Sequence, residues 1–294
     1  MRYFKIAFSI AFVLFVAFLV VRGCSPKKKT MVARPPVVRT VPKPKPPKKI
    51  VVKKTPAAPV KAAPAPAKTE KTAKRTGRLA IVLDDWGNHY SLVNDAVSIG
   101  RPLTLAILPN LPHSRDIAEE AFANGLGVML HMPMQPQGTG QPLEPQTILT
   151  STPEAEIIRY LDEALASVPH VTGINNHMGS AATSDARVMK TVLAHLKKKK
   201  LFFVDSNVIA TTQGPVLARQ MGLRFTKRDV FLDNELELEA VKTQLREAKN
   251  IALSAGSVVA IGHDKKVTLE AIREVAADFE KEGVHFVLVK ELLE

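Results

Sequence analysis

The sequence predicts an α/β domain built on a parallel sheet, closed as a barrel or doubly wound, with its helices outside. Three observations predict it. From about Gly77 onward, short apolar runs of strand length alternate with stretches of helical period, as in parallel strands joined by helical crossovers. The 217 residues from 78 to 294 suit one barrel-like domain. Five of the apolar runs end in an acid, a histidine or an asparagine, and that is the end at which such folds gather their functional groups.

The elements follow in order. Strands read at Leu79–Leu83, Leu103–Leu108, Gly127–Leu130, Val171–Ile174, Leu201–Val204, Arg224–Phe225, Ser257–Ile261 and His285–Val289. Helical patterns read at Ser114–Ala123, Pro153–Ala166, Ala186–Lys198, Glu235–Ser254 and Leu269–Lys281. No internal repeat is visible. The stretch Met134–Thr150 is rich in Gln, Pro and Gly and reads as a long loop, a kind of segment that in compact domains is often functional.

Two segments precede the domain. In Met1–Gly23, Arg2 and Lys5 lead into the apolar run Ile6–Val21. That run is short for a spanning helix and long for a signal-peptide core. A cleaved signal, an uncleaved anchor and lipoprotein processing at Cys24 all stay open. The absence of a small-x-small cleavage site favours the anchor, and Arg22 stands where lipoprotein processing expects a small residue. Basic residues flank both ends of the run, so charge does not settle its orientation. Residues 24–77 are rich in Pro, Lys and Ala. Such a chain buries little apolar area and is expected to be disordered and extended, a spacer reaching on the order of 100 Å or more. Its charge also suits electrostatic attachment to an anionic envelope polymer or lipid.

Charge is divided along the chain. Residues 1–77 hold 19 Lys and Arg against the single acid Glu70, and the rest holds 22 basic against 27 acidic residues. A nucleic-acid-binding domain shows its basic stripe on the folded part, so nucleic acid is not an expected partner. Cys24 is the only cysteine, so a metal in the domain must be held by histidine and carboxylate. No glycine-rich phosphate loop follows a strand, and this speaks against a dinucleotide or P-loop protein.

The strand ends carry the chemistry. They read Asp84-Asp85-Trp86-Gly87, His131-Met132-Pro133-Met134, Asn175-Asn176-His177-Met178-Gly179-Ser180, Asp205-Ser206-Asn207 and Gly262-His263-Asp264-Lys265. Each residue alone has a plainer reading, an aspartate as helix cap or turn former and a histidine as a structural hydrogen-bonding group. Together, His131, His177 and His263 with Asp84, Asp85 and Asp205 supply what a hydrolytic metal site needs. Neutral imidazoles and a carboxylate bind Zn²⁺ and leave a position for water. A second carboxylate then takes a proton and a histidine gives one. His113, His170, His195 and His285 read as structural or surface residues, and His89 stays undecided.

At these residues the domain resembles the divergent polysaccharide deacetylases, relatives of the NodB-type carbohydrate esterases. The resemblance runs in order through Val82–Gly87, Leu105–Pro109, Leu130–Met134, Gly173–Ser180, Phe203–Ser206, Arg228–Asp233 and Ala260–His263, and the Asn-Asn-His-Met-Gly-Ser block is its most specific part. It implies a NodB-like, distorted (β/α) barrel and a divalent-metal hydrolase, with zinc the expected cofactor, that removes acetyl groups from N-acetylated sugars. Carried over, Asp84 is the general base, Asp85 and His131 are metal ligands, and His263 is the general acid. One position departs from the pattern. Where the wider superfamily has a second histidine four residues after the first, this chain has Gln135, a poor ligand. His177 is the expected substitute. Asp205 is expected either to add a ligand or to orient His263, and Asn175, Asn176, Ser206 and Asp229 are further site candidates. Arg228, Asp229 and Asp233 belong to the signature without an evident chemical role.

Two functions follow as expectations. One is a deacetylase of peptidoglycan or a similar polysaccharide, held at the inner membrane as a single-pass protein with its domain in the periplasm or cell exterior. The other is a glycan-binding or scaffold module on the same barrel with turnover weakened, which Gln135 and the lack of an Arg-Pro-Pro-type motif favour.

Overall fold

The computed structural model describes residues 75–138 and 140–294. The expected anchor at 1–23, Cys24 and nearly all of the basic linker lie outside the described residues. Among the described residues, no helix is long and apolar enough to cross a membrane.

Strands and helices alternate along the chain. In order they are β1 (Gly77–Trp86), α1 (Val93–Ser98), β2 (Thr104–Ile107), α2 (Ser114–Ala123), β3 (Gly127–Met134), α3 (Glu154–Ser167), β4 (Gly173–Met178), α4 (Ala186–Lys199), β5 (Phe202–Asp205), α5 (Gly214–Met221), β6 (Phe225–Lys227), β7 (Val230–Phe231), α6 (Leu238–Ala255), β8 (Ser257–His263), α7 (Lys266–Glu282) and β9 (Val284–Val287). The strands form one parallel sheet in the order β6-β5-β4-β3-β2-β1-β8-β7, and β9 pairs with the first half of β1. The helices form as elementary rules require. In α4 the apolar positions Val188, Val192 and Leu196 recur at helical spacing, Asp185 caps the N-terminus by accepting from the Arg187 and Val188 amides, and Lys197–Lys199 lie in the last turn against the dipole.

The sheet curls toward a barrel but does not close by strand pairing. Among the described residues no ladder joins β6 to β7. Arg228 and Asp229 bridge the seam instead. The Arg228 amide donates to the Asp205 carbonyl at 2.9 Å on one side, and the Asp229 amide donates to the Val259 carbonyl at 2.9 Å on the other. The Asp229 carboxylate also accepts from the Val259 amide at 2.9 Å. Two signature residues with no evident chemical role therefore close the barrel's distorted side.

Strand parity divides the core in two. The outer set, with Leu79, Ile81, Leu83, Leu105, Leu130 and Phe203, packs under the helices. The inner set is smaller: Ala80, Val82, Ala106, Met129, Phe202, Val204, Val259 and Ile261, closed at one end by Val289, Leu292 and Leu293. Gly173 is required there, because a Cβ at this position would lie 2.2 Å from the Phe202 ring. Above this apolar plug, on the same inward parity, stand Asp84, His131, Asn175, His177 and His263.

The elements α1, α5 and β7 were not legible, because six-, eight- and two-residue segments are too short for periodicity to register. The helix read from Glu235 begins at Leu238. The strand ends also correct the sequence reading. None of His131, His177, Asp205 and His263 follows its strand: Asp205 and His263 are the last residues of theirs, and His131 and His177 lie within strands that run on to Met134 and Met178.

Candidate metal centre at the barrel mouth

The acid pair depends on a bulge. In β1, Leu83 pairs with Leu105 and Trp86 with Ile107, so one extra residue of β1 is accommodated between them. Asp85 takes a left-handed backbone with φ 69°, which aspartate tolerates better than most residues. Regular alternation would send neighbouring side chains to opposite faces. The bulge turns both carboxylates toward His131, whose Nε2 lies 3.7 Å from Asp84 Oδ2 and 3.3 Å from Asp85 Oδ1.

The histidines come from adjacent strands. His131 pairs in register with Asn175, and Pro133 with His177, so His131 and His177 rise side by side on one face. His177 Nδ1 lies 3.1 Å from Asp85 Oδ1 and 3.2 Å from His131 Nε2. Three potential ligand atoms thus form a triangle with edges of 3.3, 3.1 and 3.2 Å. The side chains behind it fix the tautomers. His131 Nδ1–H donates to Asn175 Oδ1 at 2.8 Å, and His177 Nε2–H donates to Glu144 Oε1 at 3.1 Å. Each imidazole therefore turns a lone pair toward the third corner when neutral.

These residues fit a divalent metal. Asp85 Oδ1 is buried and has no well-directed hydrogen bond among the described residues, although two imidazole nitrogens stand beside it. Donors about 2.0–2.2 Å from a tetrahedral zinc lie about 3.3 Å or slightly more from one another, close to the edges seen. Among the described residues, the candidate cation-binding group is Asp85, His131 and His177. Asp205 is not part of it.

Charge supports the same arrangement. Burial raises the Asp84 carboxyl above the ordinary range, against the pull of His131 and the Asn175 hydrogen bond. Burial would also raise Asp85, but the close approach of His131 and His177 outweighs it and holds that carboxylate well below the ordinary range. Burial would lower His131, yet the carboxylates of Asp84 and Asp85 raise it to about 9. Without a cation, a proton on His131 balances part of the negative charge.

The opposite wall is His263, which pairs in register with Asp84 across β1 and β8. Its Nδ1–H donates to Asp233 Oδ1 at 2.8 Å, and its Nε2 lies 3.9 Å from Asp85 Oδ2. Asp233 Oδ2 accepts from the His263 amide and from Thr268 Oγ1, each at 2.7 Å. Burial would lower His263, but the Asp233 bond and charge outweigh it, so its pKa is raised.

The structure corrects the expectation for Asp205. It neither joins the donors nor orients His263; Asp233 holds His263. The reason is parity. Phe202 and Val204 point inward, so Asp205 points outward, where it accepts from the Asn207 amide at 2.8 Å and Thr212 Oγ1 at 2.7 Å. Asn176 likewise faces away from the donors, and its Oδ1 accepts from the Ser206 amide at 3.0 Å. Ser206 Oγ donates to the Asn176 carbonyl at 2.9 Å. Asn175 does join the site. It is fully buried, and its Nδ2 donates to Asp84 Oδ1 at 2.8 Å while its oxygen holds His131. Gln135 Oε1 is committed to the amide and hydroxyl of Thr150. His89 is exposed.

Glu144 and Asp233 were missed as site residues. Asp233 sat in the recognised signature, and Glu144 was the one acid of the long loop, but neither gave a sign of its imidazole partner. Two surface clefts lie elsewhere. One of about 570 Å³ runs between the segment 228–235 and α6, and one of about 390 Å³ between α3 and α4.

A family model described as divergent polysaccharide deacetylase matches residues 81–293. The chain is 36% identical over 199 residues to the uncharacterized protein YibQ of Escherichia coli K12, covering 68% of this chain and 62% of that protein. It therefore spans less than two thirds of that relative. It is 34% identical over 196 residues to an uncharacterized protein of Haemophilus influenzae, covering 67% of this chain and 70% of that one. The crystal structure of an uncharacterized protein from Agrobacterium tumefaciens C58 superimposes with a TM-score of 0.71 at 23% identity, covering 77% of this chain and 92% of that one. At that identity the likeness speaks to the fold alone.

Proposed function

The chain belongs to the divergent polysaccharide deacetylase family, and from that premise and the geometry of the mouth we propose a metal-dependent hydrolase that removes acetyl groups from N-acetylated envelope polysaccharide, peptidoglycan or a similar glycan. The observation that carries the reading is the triangle of Asp85, His131 and His177 with Asp84 beside it and His263 on the next strand.

Asp85, His131 and His177 would hold the cation, and two nitrogens with one carboxylate oxygen suit zinc. When bound, the cation polarises the amide carbonyl and lowers the pKa of water. The residues do the rest. Asp84 accepts the proton as water adds to the carbonyl carbon, and its burial makes it a stronger base than an exposed aspartate. Asn175 holds that carboxylate from behind. His263 Nε2 gives a proton to the departing nitrogen as the carbon–nitrogen bond breaks, leaving acetate and a free amine. Asp233 keeps the imidazole oriented and protonated for this step.

The remaining parts of the chain fit the same reading. Residues 1–23 anchor it to the inner membrane, residues 24–77 are the spacer, and the domain works outside the cytoplasm, where such polymers lie. The direct test is zinc-dependent acetate release from chitooligosaccharides or peptidoglycan fragments. Release is expected from the unsubstituted chain and not from Asp84→Asn. Equal activity in that variant would remove Asp84 from its role. No release from any N- or O-acetylated glycan would leave the glycan-binding module standing in place of the enzyme.

A further inference from the structure

The loop between β3 and α3 is tied down at several points. The Gln135 amide donates to the Ile148 carbonyl at 2.9 Å, and the Ile148 amide to the Pro133 carbonyl at 2.9 Å. The Gln137 amide donates to Ser180 Oγ at 2.7 Å, next to the end of β4. Gln146 connects Asn110 of the preceding loop to Glu163 of α3. Within this frame the Glu144 carbonyl accepts from the Thr147 amide at 3.2 Å and from Thr147 Oγ1 at 2.7 Å. Glu144 is thus fixed at its backbone, with its carboxylate against His177.

That contact decides which nitrogen His177 offers. A neutral imidazole carries one proton and exposes its lone pair on the other nitrogen. The two tautomers are close in energy, so an acceptor at one nitrogen selects between them. Glu144 Oε1 lies 3.1 Å from Nε2 and has no proton of its own to give when ionised. It holds the proton on Nε2 and leaves Nδ1 bare, and Nδ1 is the atom that stands 3.1 Å from Asp85 Oδ1. His131 has the equivalent support from Asn175, which is built into β4. For His177 the support comes from a loop 33 residues earlier in the chain.

We propose that Glu144 is the positioning residue of the metal site: through the His177 Nε2–H it fixes the tautomer and angle of the imidazole that replaces the missing partner at Gln135. This rests on the reading of Asp85, His131 and His177 as metal ligands. The β3–α3 loop is therefore a structural part of the centre.

The experiment is a zinc competition titration with the full chain and four variants: Glu144→Ala, Glu144→Gln, His177→Ala and the Glu144→Ala, His177→Ala double variant. Loss of an outer partner of a ligating histidine weakens metal binding about 10–100-fold, and that loss is expected for Glu144→Ala. Glu144→Gln keeps an oxygen acceptor at the same reach and is expected to recover most of the affinity. In the His177→Ala background, Glu144→Ala should have no further effect. Unchanged zinc affinity in Glu144→Ala overturns the proposal and leaves the metal site intact. Equal losses in both backgrounds, or no rescue by glutamine, also overturn it, since the residue would then act through the loop fold alone. Failure of the unsubstituted chain to bind zinc overturns this proposal together with the functional reading beneath it.

Discussion

The lower and upper layers of the barrel interior are built from the same strands on the same parity, and they do opposite things. Below, Ala80, Val82, Met129, Val259 and Ile261 form an apolar plug closed by Val289 and the C-terminal leucines. Above, the same columns continue as Asp84, His131 and His263. The lower layer is held by shape: Gly173 exists so that the Phe202 ring has room. The upper layer is held by directed bonds, in which Asn175, Glu144 and Asp233 each take one proton and thereby aim a second atom at the mouth. The polar layer stands on this plug, and burial raises Asp84. This layer differs from a plain cluster of polar residues by having donor atoms, on Asp85, His131 and His177, left over after the supporting bonds are made.

That contrast can be broken at several points. The largest effect is expected at Asp84. Replacing it with Asn keeps the shape and the Asn175 neighbour but removes the proton acceptor, and acetate release should fall by about 10²–10⁴-fold. Zinc affinity measured on the same variant should change far less. Next is His177→Ala, which removes a corner of the triangle. Zinc binding should fall by more than the roughly 10–100-fold of an outer partner. Retention of full stoichiometric binding here, with loss in His131→Ala, would show that His177 is no ligand.

The pH dependence sharpens the same point. His131 is raised to about 9 without a cation, so zinc held there as proposed would displace its proton. A raised pKa means that the protonated, metal-free form is favoured at low pH. Zinc affinity should therefore rise by about tenfold per unit between roughly pH 7 and 9 and level off above, for one displaced proton. Calorimetry in buffers of different ionisation enthalpy would count that proton directly.

Smaller effects belong to the supports outside the centre. Gly173→Ala drives a methyl into the Phe202 ring and should cost about 1–3 kcal/mol of stability in denaturant unfolding. Its zinc affinity should hold, because the disturbance lies in the lower layer. Asp205→Ala is the parity control. Losing the acceptor for Asn207 and Thr212 should cost about 1–3 kcal/mol, with zinc binding unchanged. Weakened zinc binding in this variant would mean that the outward acid reaches the centre after all.

Much of the rim is legible in the sequence. The alternation of apolar runs and helical stretches gave a parallel α/β domain, and the polar strand ends gave the rim. Asp84, Asp85, His131, His177 and His263 all come together there. Asp205 could not be set aside from the sequence, because Leu201, Phe202, Phe203 and Val204 are apolar on both parities; only the structure puts Phe202 and Val204 inward and Asp205 outward. Parity alone does not account for Asp84 and Asp85. Adjacent residues on a regular strand cannot face the same way, and only the bulge with the left-handed Asp85 lets them. The partners Glu144 and Asp233 were beyond reach for another reason. Each meets its histidine across about thirty residues of chain, from a segment with no periodicity to place it.

The sequence by itself therefore determined the layers, because burying apolar side chains at a period of two or 3.6 is a local matter written residue by residue. It also determined which chemical groups the rim could hold. The tertiary structure decided which lone pairs remain free, because that depends on where each second nitrogen or oxygen finds its partner. It gave Asn175 to His131, Glu144 to His177 and Asp233 to His263, and so turned a row of polar strand ends into three donor atoms within 3.3 Å of one another.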